Sequence, residues 1–362
     1  MLIDLQQSRF MKACRREPTD RTPIWLMRQA GRYMKKYRGL RERWSFLELC
    51  KDSDLAAEIT VYAAERLGAD AAIIFSDILL ILEPMGFGLE YTEGGGPVIE
   101  TPVRAPGDVA RIAKLPDMGA LSFLTDAIGK TRKALSGDLP LIGFSGAPFT
   151  LASYVIEGRG SRNCERTLAF MHAQPEAWHT LMESISESLS IYLNAQVHAG
   201  VQAVQLFDSW VGCLTPEEYR THVLPHTKRV IDGICPPSLT SSPSSGEGMG
   251  GGVPVIHFGT RTSALLELMR DAGGDVIGID STIGLDATWQ RLGNAAIQGN
   301  LDPSVLLGKP EEIRKQAKRI LDQAAGRPGH IFNLGHGVLP DTPEENAIAL
   351  VEMVHEMSAV RL

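Results

Sequence analysis

Eight short apolar runs, each ending in a polar residue or glycine, restrict the fold of this chain more than any other feature. They are residues 23–28 (PIWLMR), 71–77 (AAIIFSD), 140–146 (PLIGFSG), 203–209 (AVQLFDS), 253–259 (VPVIHFG), 275–280 (DVIGID), 295–300 (AAIQGN) and 329–336 (GHIFNLGH). Near-continuous hydrophobicity suits strands buried on both faces, as in a parallel sheet. Segments with helical spacing lie between them. Thr215-Pro-Glu-Glu and Thr342-Pro-Glu-Glu each place Thr at an N-cap, Pro at the first helical position and Glu at the third. After the second, Ile348, Val351, Met353 and Val354 recur at the helical period and give one apolar face. Strands alternating with helices predict an α/β fold, a (β/α)8 TIM barrel, as a single domain over residues 1–362. The runner-up is a doubly wound open sheet. That fold places a glycine-rich loop after its first strand, where this chain has Arg28 to Arg32.

Two glycine-rich stretches do not belong to this rhythm. Gly94-Gly-Gly-Pro97 falls in an expected hairpin insertion at residues 83–103 and reads as a turn. Residues 236–252 (PPSLTSSPSSGEGMGGG) are low in complexity and are expected to form a disordered surface loop before the fifth strand. No strand leads into those glycines and no Gly-Lys-Ser/Thr follows, so a phosphate-cradling role is not expected.

The formal net charge of −7 argues against general nucleic-acid binding, which favours a basic domain. No segment reaches the roughly 20 apolar residues of a membrane span, and the N-terminus lacks the pattern of a signal peptide. The five cysteines are scattered and include no C-x-x-C pair. They indicate a reducing cytoplasm, with no disulfide framework and no cysteine-rich zinc site.

Against the acidic balance, Arg28, Arg32, Lys35, Lys36, Arg38, Arg41 and Arg43 are interrupted by a single acid, Glu42. Such a run is either a solvated helix face or a site for an anion, since the Arg fork pairs bidentately with carboxylate or phosphate. In a barrel the strand C-termini converge on one mouth, where catalysis sits. Here those ends offer Arg28, Asp77, Ser209, His257, Asp280, Asn300 and His336, with Tyr154 just beyond the third strand. Asp77 sits in an apolar context, where an ionised carboxylate is costly without partners. It reads either as a structural cap or as a group that binds N–H donors or a cation. His336 lies between Gly335 and Gly337, which allow close approach of the backbone to a ligand. His257 reads as a satisfied near-core histidine, Tyr154 equally as packing, and Ser209 equally as a helix cap. Ser145 in Gly143-Phe-Ser-Gly-Ala lacks the G-x-S-x-G spacing of a nucleophile elbow.

Six stretches taken together carry a family resemblance. They are Pro23-Ile-Trp-Leu-Met-Arg-Gln-Ala-Gly-Arg-Tyr33, Phe75-Ser-Asp-Ile-Leu79, Gly143-Phe-Ser-Gly-Ala-Pro-Phe-Thr-Leu151, Gln205-Leu-Phe-Asp-Ser209, Gln298-Gly-Asn-Leu-Asp-Pro303 and Phe332-Asn-Leu-Gly-His-Gly337. In order and spacing the chain resembles the uroporphyrinogen decarboxylase family over almost its whole length. The resemblance implies a carboxy-lyase without cofactor or metal, a homodimer of single-domain barrels in the cytoplasm, with no nucleic-acid or membrane partner. Its substrate would be uroporphyrinogen III, whose four acetate side chains lose carbon dioxide to give coproporphyrinogen III on the route to haem. The substrate-binding positions carried over are Arg28, Gln29, Ala30, Gly31, Arg32, Asp77, Tyr154, Ser209 and His336, with Arg41 as a further arginine nearby. Asp77, Arg28 and Arg32 would carry the chemistry, Asp77 stabilising the protonated pyrrole and the arginines holding carboxylates.

The chain departs from the family pattern at Lys35-Lys36, where Pro-Glu is common, and at Asp280-Ser281, where Asp-Trp is usual. Residues 236–252 also read as an insertion, of a kind that long surface loops tolerate. The alternative reading is a zinc-dependent corrinoid or thiol methyltransferase of the same superfamily. Its His-x-Cys pattern is replaced here by His257-Phe258-Gly259, with no cysteine after Cys235. A non-catalytic porphyrin-binding or scaffold protein is the other rival.

Overall fold

The computed structural model describes residues 4–92, 96–234 and 252–360. Its strands are β1 (Ala72–Ile73), β2 (Leu89–Thr92), β3 (Gly96–Ile99), β4 (Leu141–Gly146), β5 (Ala203–Asp208), β6 (Val255–Gly259), β7 (Val276–Gly278), β8 (Ala296–Gln298) and β9 (His330–Ile331). Seven of them form one parallel sheet in the order β1-β4-β5-β6-β7-β8-β9. Each expected strand from the second run onward is therefore present, though trimmed at its ends. In β4 and β6 every residue is buried, as a parallel sheet covered on both faces requires.

The first run, residues 23–28, does not form the expected full strand. It closes the curled sheet through one residue. Ile24 bridges Phe332 in parallel, with Trp25 N–H donating to Phe332 O at 3.3 Å and Phe332 N–H donating to Pro23 O at 2.8 Å. On the other side, Asp70 N–H donates to Ile24 O at 2.8 Å. Pairing goes no further for local reasons. Pro23 has no N–H to give, Met27 N–H is taken by the Asn333 side chain at 3.0 Å, and Arg28 turns the chain away at φ +59°.

Polar groups inside the barrel largely bond to one another. Trp25 Nε1–H donates to Gln298 Oε1, and Gln298 Nε2–H donates to Gln205 Oε1, each at 3.0 Å. Gln205 Nε2–H then points at Met27 Sδ, 3.7 Å away. The chain of donors satisfies amides that burial would otherwise penalise. Asp208 Oδ1 accepts from Thr150 Oγ1 at 3.0 Å, while its Oδ2 comes no nearer than 3.6 Å to His257 Nε2, both residues being fully buried. Among the described residues neither ring nitrogen of His257 has a hydrogen-bond partner, so this histidine is in the core as expected but its ring is not satisfied there.

Thr215 caps helix Pro216–His222 with a complete capping box, as its sequence predicts. Thr342 does not repeat this. Pro343 is the N-cap of helix Glu344–Ser358, without a side-chain cap bond, and Thr342 Oγ1 is buried without a partner. The glutamate that follows is engaged elsewhere. Glu344 Oε2 accepts from Lys35 N–H at 3.0 Å and Oε1 from Arg66 Nε at 2.8 Å. Ala347, Leu350, Val351 and Val354 form the buried face of this helix.

β2 and β3 form the expected hairpin, with Tyr91 opposite Pro97. The hairpin is tied to helix Pro148–Glu157 through Ile99 N–H to Gly158 O and Val103 N–H to Val155 O, both 2.8 Å. Gly94 and Gly95 lie outside the described residues, as does the 236–252 stretch apart from Gly252. Among the described residues no helix is long and apolar enough to cross a membrane.

Candidate active site

A cavity of about 1320 Å³ opens at the C-terminal ends of the strands. Every residue singled out by resemblance lines it: Arg28, Gln29, Ala30, Gly31, Arg32, Arg41, Asp77, Tyr154, Ser209 and His336. Asp280, Asn300 and His257 do not. Asp280 bonds to the N–H and hydroxyl of Thr282 at 3.1 and 2.6 Å. Asn300 donates to Asp280 O and Ile283 O at 2.8 and 2.6 Å. These two mouth residues stabilise loops and are not free to meet a ligand.

The arginine segment forms one wall. Arg28 and Arg32 make no ion pair or side-chain hydrogen bond among the described residues, and both line the cavity. Arg28 holds its left-handed turn because Gly337 leaves room for its stem; a Cβ there would collide with the Arg28 methylenes. Likewise a Cβ at Gly335 would meet Ser281 N. The glycines around His336 therefore serve close approach within the protein, and Gly337 also lines the cavity. Gln29 lines the cavity with its side chain turned to the protein. Its side chain is fully buried, with Nε2 donating to Ala71 O at 3.4 Å, so it ties the arginine loop to β1 and offers the cavity its backbone.

The rest of the basic run divides between wall and surface. Lys36 pairs with Glu58 at 2.7 Å, and Arg38 donates to the carbonyls of Arg32 and Tyr33 at 2.9 and 2.7 Å. Lys36 and Arg38 thus brace the segment. Arg43 is exposed, as expected of a solvated face; it stacks on Trp44 at 4.2 Å and also lines the cavity beside Arg41.

Asp77 lines the same cavity, in the turn after β1. Its Oδ1 accepts Leu79 N–H at 2.8 Å. Burial pushes its pKa above the ordinary 3.8, opposed by a hydrogen bond from Tyr91 and by the Arg28 charge. Tyr154 is mid-helix in Pro148–Glu157; burial, then the Asp77 charge, moves its pKa up to about 12. Its ring meets Trp210 edge-on, with centroids 5.8 Å apart. At His336, Gly337 N–H donates to Nδ1 at 2.8 Å. A ring nitrogen that accepts carries no proton, so neutral His336 has its N–H at Nε2. Loss of hydration and the Arg28 charge hold its pKa below 6.5, in keeping with that neutral form. Ser209 is not a cap, because the short helix Val211–Cys213 begins at Trp210 without a side-chain bond.

The sequence reading missed four cavity residues of consequence. Phe144, Phe207 and Phe258 line the cavity as a contiguous apolar patch, with successive centroids 5.6 and 5.9 Å apart. They come from three neighbouring strands near their C-terminal ends, and that alignment was the available signal. Tyr91 comes from the hairpin, and nothing in its local sequence marks it. No group of three or more His, Cys, Asp or Glu able to hold a metal is present among the described residues.

The family model described as "Uroporphyrinogen decarboxylase (URO-D)" matches residues 5–357. The chain belongs to the uroporphyrinogen decarboxylase family. The uroporphyrinogen decarboxylase of Carboxydothermus hydrogenoformans is 51% identical over 352 residues, 97% of each chain. That of Sorangium cellulosum is 50% identical, covering 98% of this chain and 97% of its own. A methyltransferase from Methanosarcina mazei superposes with a TM-score of 0.76 at 19% identity, covering 97% of this chain and 98% of its own. At that identity the likeness shows a shared fold and no more. Within the uroporphyrinogen decarboxylase family, then, this chain has a large cavity lined by open arginines and by the half-buried Asp77 carboxylate.

Proposed function

We propose that the chain removes carbon dioxide from the four acetate side chains of uroporphyrinogen III, giving coproporphyrinogen III in tetrapyrrole biosynthesis. The observation that carries this reading is Asp77, a half-buried carboxylate lining the same cavity as Arg28 and Arg32, which are unpaired among the described residues. The substrate has the complementary form: four pyrrole N–H groups at its centre and carboxylates around its rim.

An acetate on pyrrole loses carbon dioxide once the electrons of the breaking C–C bond have somewhere to go. Protonation of the ring carbon next to the acetate-bearing position supplies that sink as a cationic ring. The bond then breaks, carbon dioxide leaves, and its electron pair neutralises the ring. A second proton on the resulting exocyclic methylene, with loss of the first from the ring, leaves a methyl group. The net change is one proton gained and one carbon dioxide lost for each acetate.

Asp77 accepts the pyrrole N–H bonds and stabilises the positive charge as it develops, a preorganised electrostatic contribution. Arg28 and Arg32 hold the side-chain carboxylates bidentately, and one of them, or a water they hold, passes the proton. Arg41, Ser209 and His336 position the rim, with the Nε2–H of neutral His336 as a donor. Tyr154 and the phenylalanine patch hold the face of the macrocycle. The backbone of Gln29, Ala30 and Gly31 shapes the arginine loop.

The same reading takes the chain as one barrel domain over residues 1–362 and as a cytoplasmic homodimer working without a cofactor. The deciding experiment is anaerobic incubation of purified protein with uroporphyrinogen III, followed by oxidation and separation of porphyrins by carboxyl count. A stepwise series from eight carboxylates down to four is expected. Unchanged substrate with folded protein would leave a binding or scaffold role. Sedimentation of the same sample tests the dimer.

A further inference from the structure

We propose that Asn333, in the segment after β9, is the positioning residue for Arg28: its carboxamide oxygen pins the backbone beside Arg28 to the same segment that carries His336. The inference rests on the role given to Arg28 above.

Asn333 is fully buried. Its Oδ1 accepts two backbone N–H groups, from Met27 at 3.0 Å and from Leu334 at 2.8 Å. Both neighbours are donors, so they settle which end of the amide is the oxygen. The Nδ2 end has no partner among the described residues, and the oxygen therefore accounts for the bonding of this side chain. Met27 is gripped at its other end as well, where Val338 N–H donates to Met27 O at 2.9 Å. Arg28 follows at φ +59°, with its stem against Gly337, where a Cβ would collide with Arg28 Cδ. A left-handed arginine persists only where its surroundings over-determine it. Here the holds come from residues 333, 337 and 338, which bracket His336.

The clamp has a firm base. Leu301 N–H donates to Asn333 O at 3.0 Å, and Gly335 N–H donates to Leu301 O at 2.7 Å, around a parallel bridge between Leu301 and Leu334. The other holds on the arginine turn do different work. The Tyr33 hydroxyl donates to Gln29 O at 2.6 Å and braces the turn internally, while Gln29 Nε2 reaches Ala71 O only at 3.4 Å, a weaker bond. Without the Asn333 oxygen, Met27 N–H would lie buried and unpaired, a cost that the turn relieves by moving. Arg28 would then leave its place beside His336. That histidine senses the guanidinium directly: burial first and the Arg28 charge next lower its pKa, against the opposing pull of the Gly337 N–H bond and the Asp280 charge.

Three variants and one titration test the assignment. Asn333→Ser keeps a short acceptor beside Leu334 and withdraws it from Met27, because its oxygen sits one bond nearer the backbone. Asn333→Asp keeps the acceptor at full reach, and Arg28→Ala removes the group that the clamp serves. With uroporphyrinogen III, Asn333→Ser is expected to lower kcat/KM roughly five- to twenty-fold, with Asn333→Asp within about three-fold of wild type. Combined with Arg28→Ala, Asn333→Ser should cost no more than about two-fold beyond Arg28→Ala alone, since residues that act through one another are not additive. In the free enzyme, the His336 imidazole resonances, assigned through His336→Gln, should titrate roughly half a pH unit higher in Asn333→Ser. Additive losses in the combined variant, or an unchanged His336 titration, overturn the proposal. If Asn333→Ser does not fold, Asn333→Asp decides alone: turnover near wild type supports the oxygen clamp, and a loss as large as that of Arg28→Ala overturns it. Normal turnover by Arg28→Ala would instead sink the role of Arg28, and the His336 titration would still judge the clamp separately.

Discussion

Two aspartates bracket the same short strand and are used in opposite ways. Asp70 precedes β1, at the closed end of the barrel. Its Oδ2 accepts Ile24 N–H at 2.9 Å and lies 2.6 Å from His355 Nε2, while Arg9 approaches Oδ1 at 3.7 Å. Asp77 follows β1 at the open end and lines the cavity, its carboxylate accepting one turn N–H. One carboxylate is fully committed to joining the first stave and the last helix; the other keeps capacity for a ligand. Residue type and burial do not separate them. The end of the strand does, because strand C-termini in a barrel face the mouth and N-termini face the base.

The sharpest test of this division is Asp77→Asn. Turnover is expected to fall roughly 10²–10³-fold, the cost typical of losing one preorganised stabilising group, with little change in melting temperature. Near-normal turnover by the folded variant would put Asp77 in the same structural class as Asp70. Next in size is Arg28→Ala, expected to lower kcat/KM by roughly 10–100-fold through a lost charge-assisted fork. Substrate analogues with fewer carboxylates should show a smaller penalty, and an equal penalty for all would mean that Arg28 shapes the loop instead.

Asp70→Ala carries the opposite expectation. It strands Ile24 N–H and leaves His355 without its partner, at a cost of about 2–3 kcal/mol, read as a melting temperature lower by several degrees. Its kcat at low temperature should stay within about a factor of two of wild type. A parallel loss of kcat in the folded variant would show that the base and the mouth are coupled through the arginine stave. The smallest effect is in pH dependence. Burial raises the Asp77 pKa above 3.8, so activity that needs its anion falls as pH drops through that raised value. In the same interval the folded state holds more protons than the unfolded chain, so acidification there does not weaken the fold through Asp77. The kcat/KM–pH profile, which reports the free enzyme, and the melting curve should therefore part company. An acid limb at or below 3.8 would describe a well-solvated carboxylate.

Much of the mouth was legible because strand ends are legible. Arg28, Asp77, Ser209 and His336 each close an apolar run, and the barrel topology brings such ends together. What could not be read depends on partners distant in sequence. The run at 23–28 has the composition of a strand, but Asn333 takes its Met27 N–H and reduces it to a bridge. Thr342-Pro-Glu-Glu has the pattern of a capping box, but Lys35 and Arg66 draw Glu344 away. Gln29 lies between two cavity arginines, yet its amide belongs to Ala71. Tyr91 is the clearest case, since it reaches the cavity on a hairpin whose strand lies 18 residues after the end of β1 (Ile73 to Tyr91).

The closure at Ile24 also sets a timetable. The stave that carries the arginine wall pairs on one side with Phe332, and Glu344 secures the helix beyond it from near the other end of the chain. A nascent chain folding from its N-terminus makes the arginines early but lacks the groups that hold them in place. The wall is therefore completed only when the last strand and the last helix have left the ribosome. A chain that stops before Phe332 and Glu344 lacks the partners that hold the arginine loop in place.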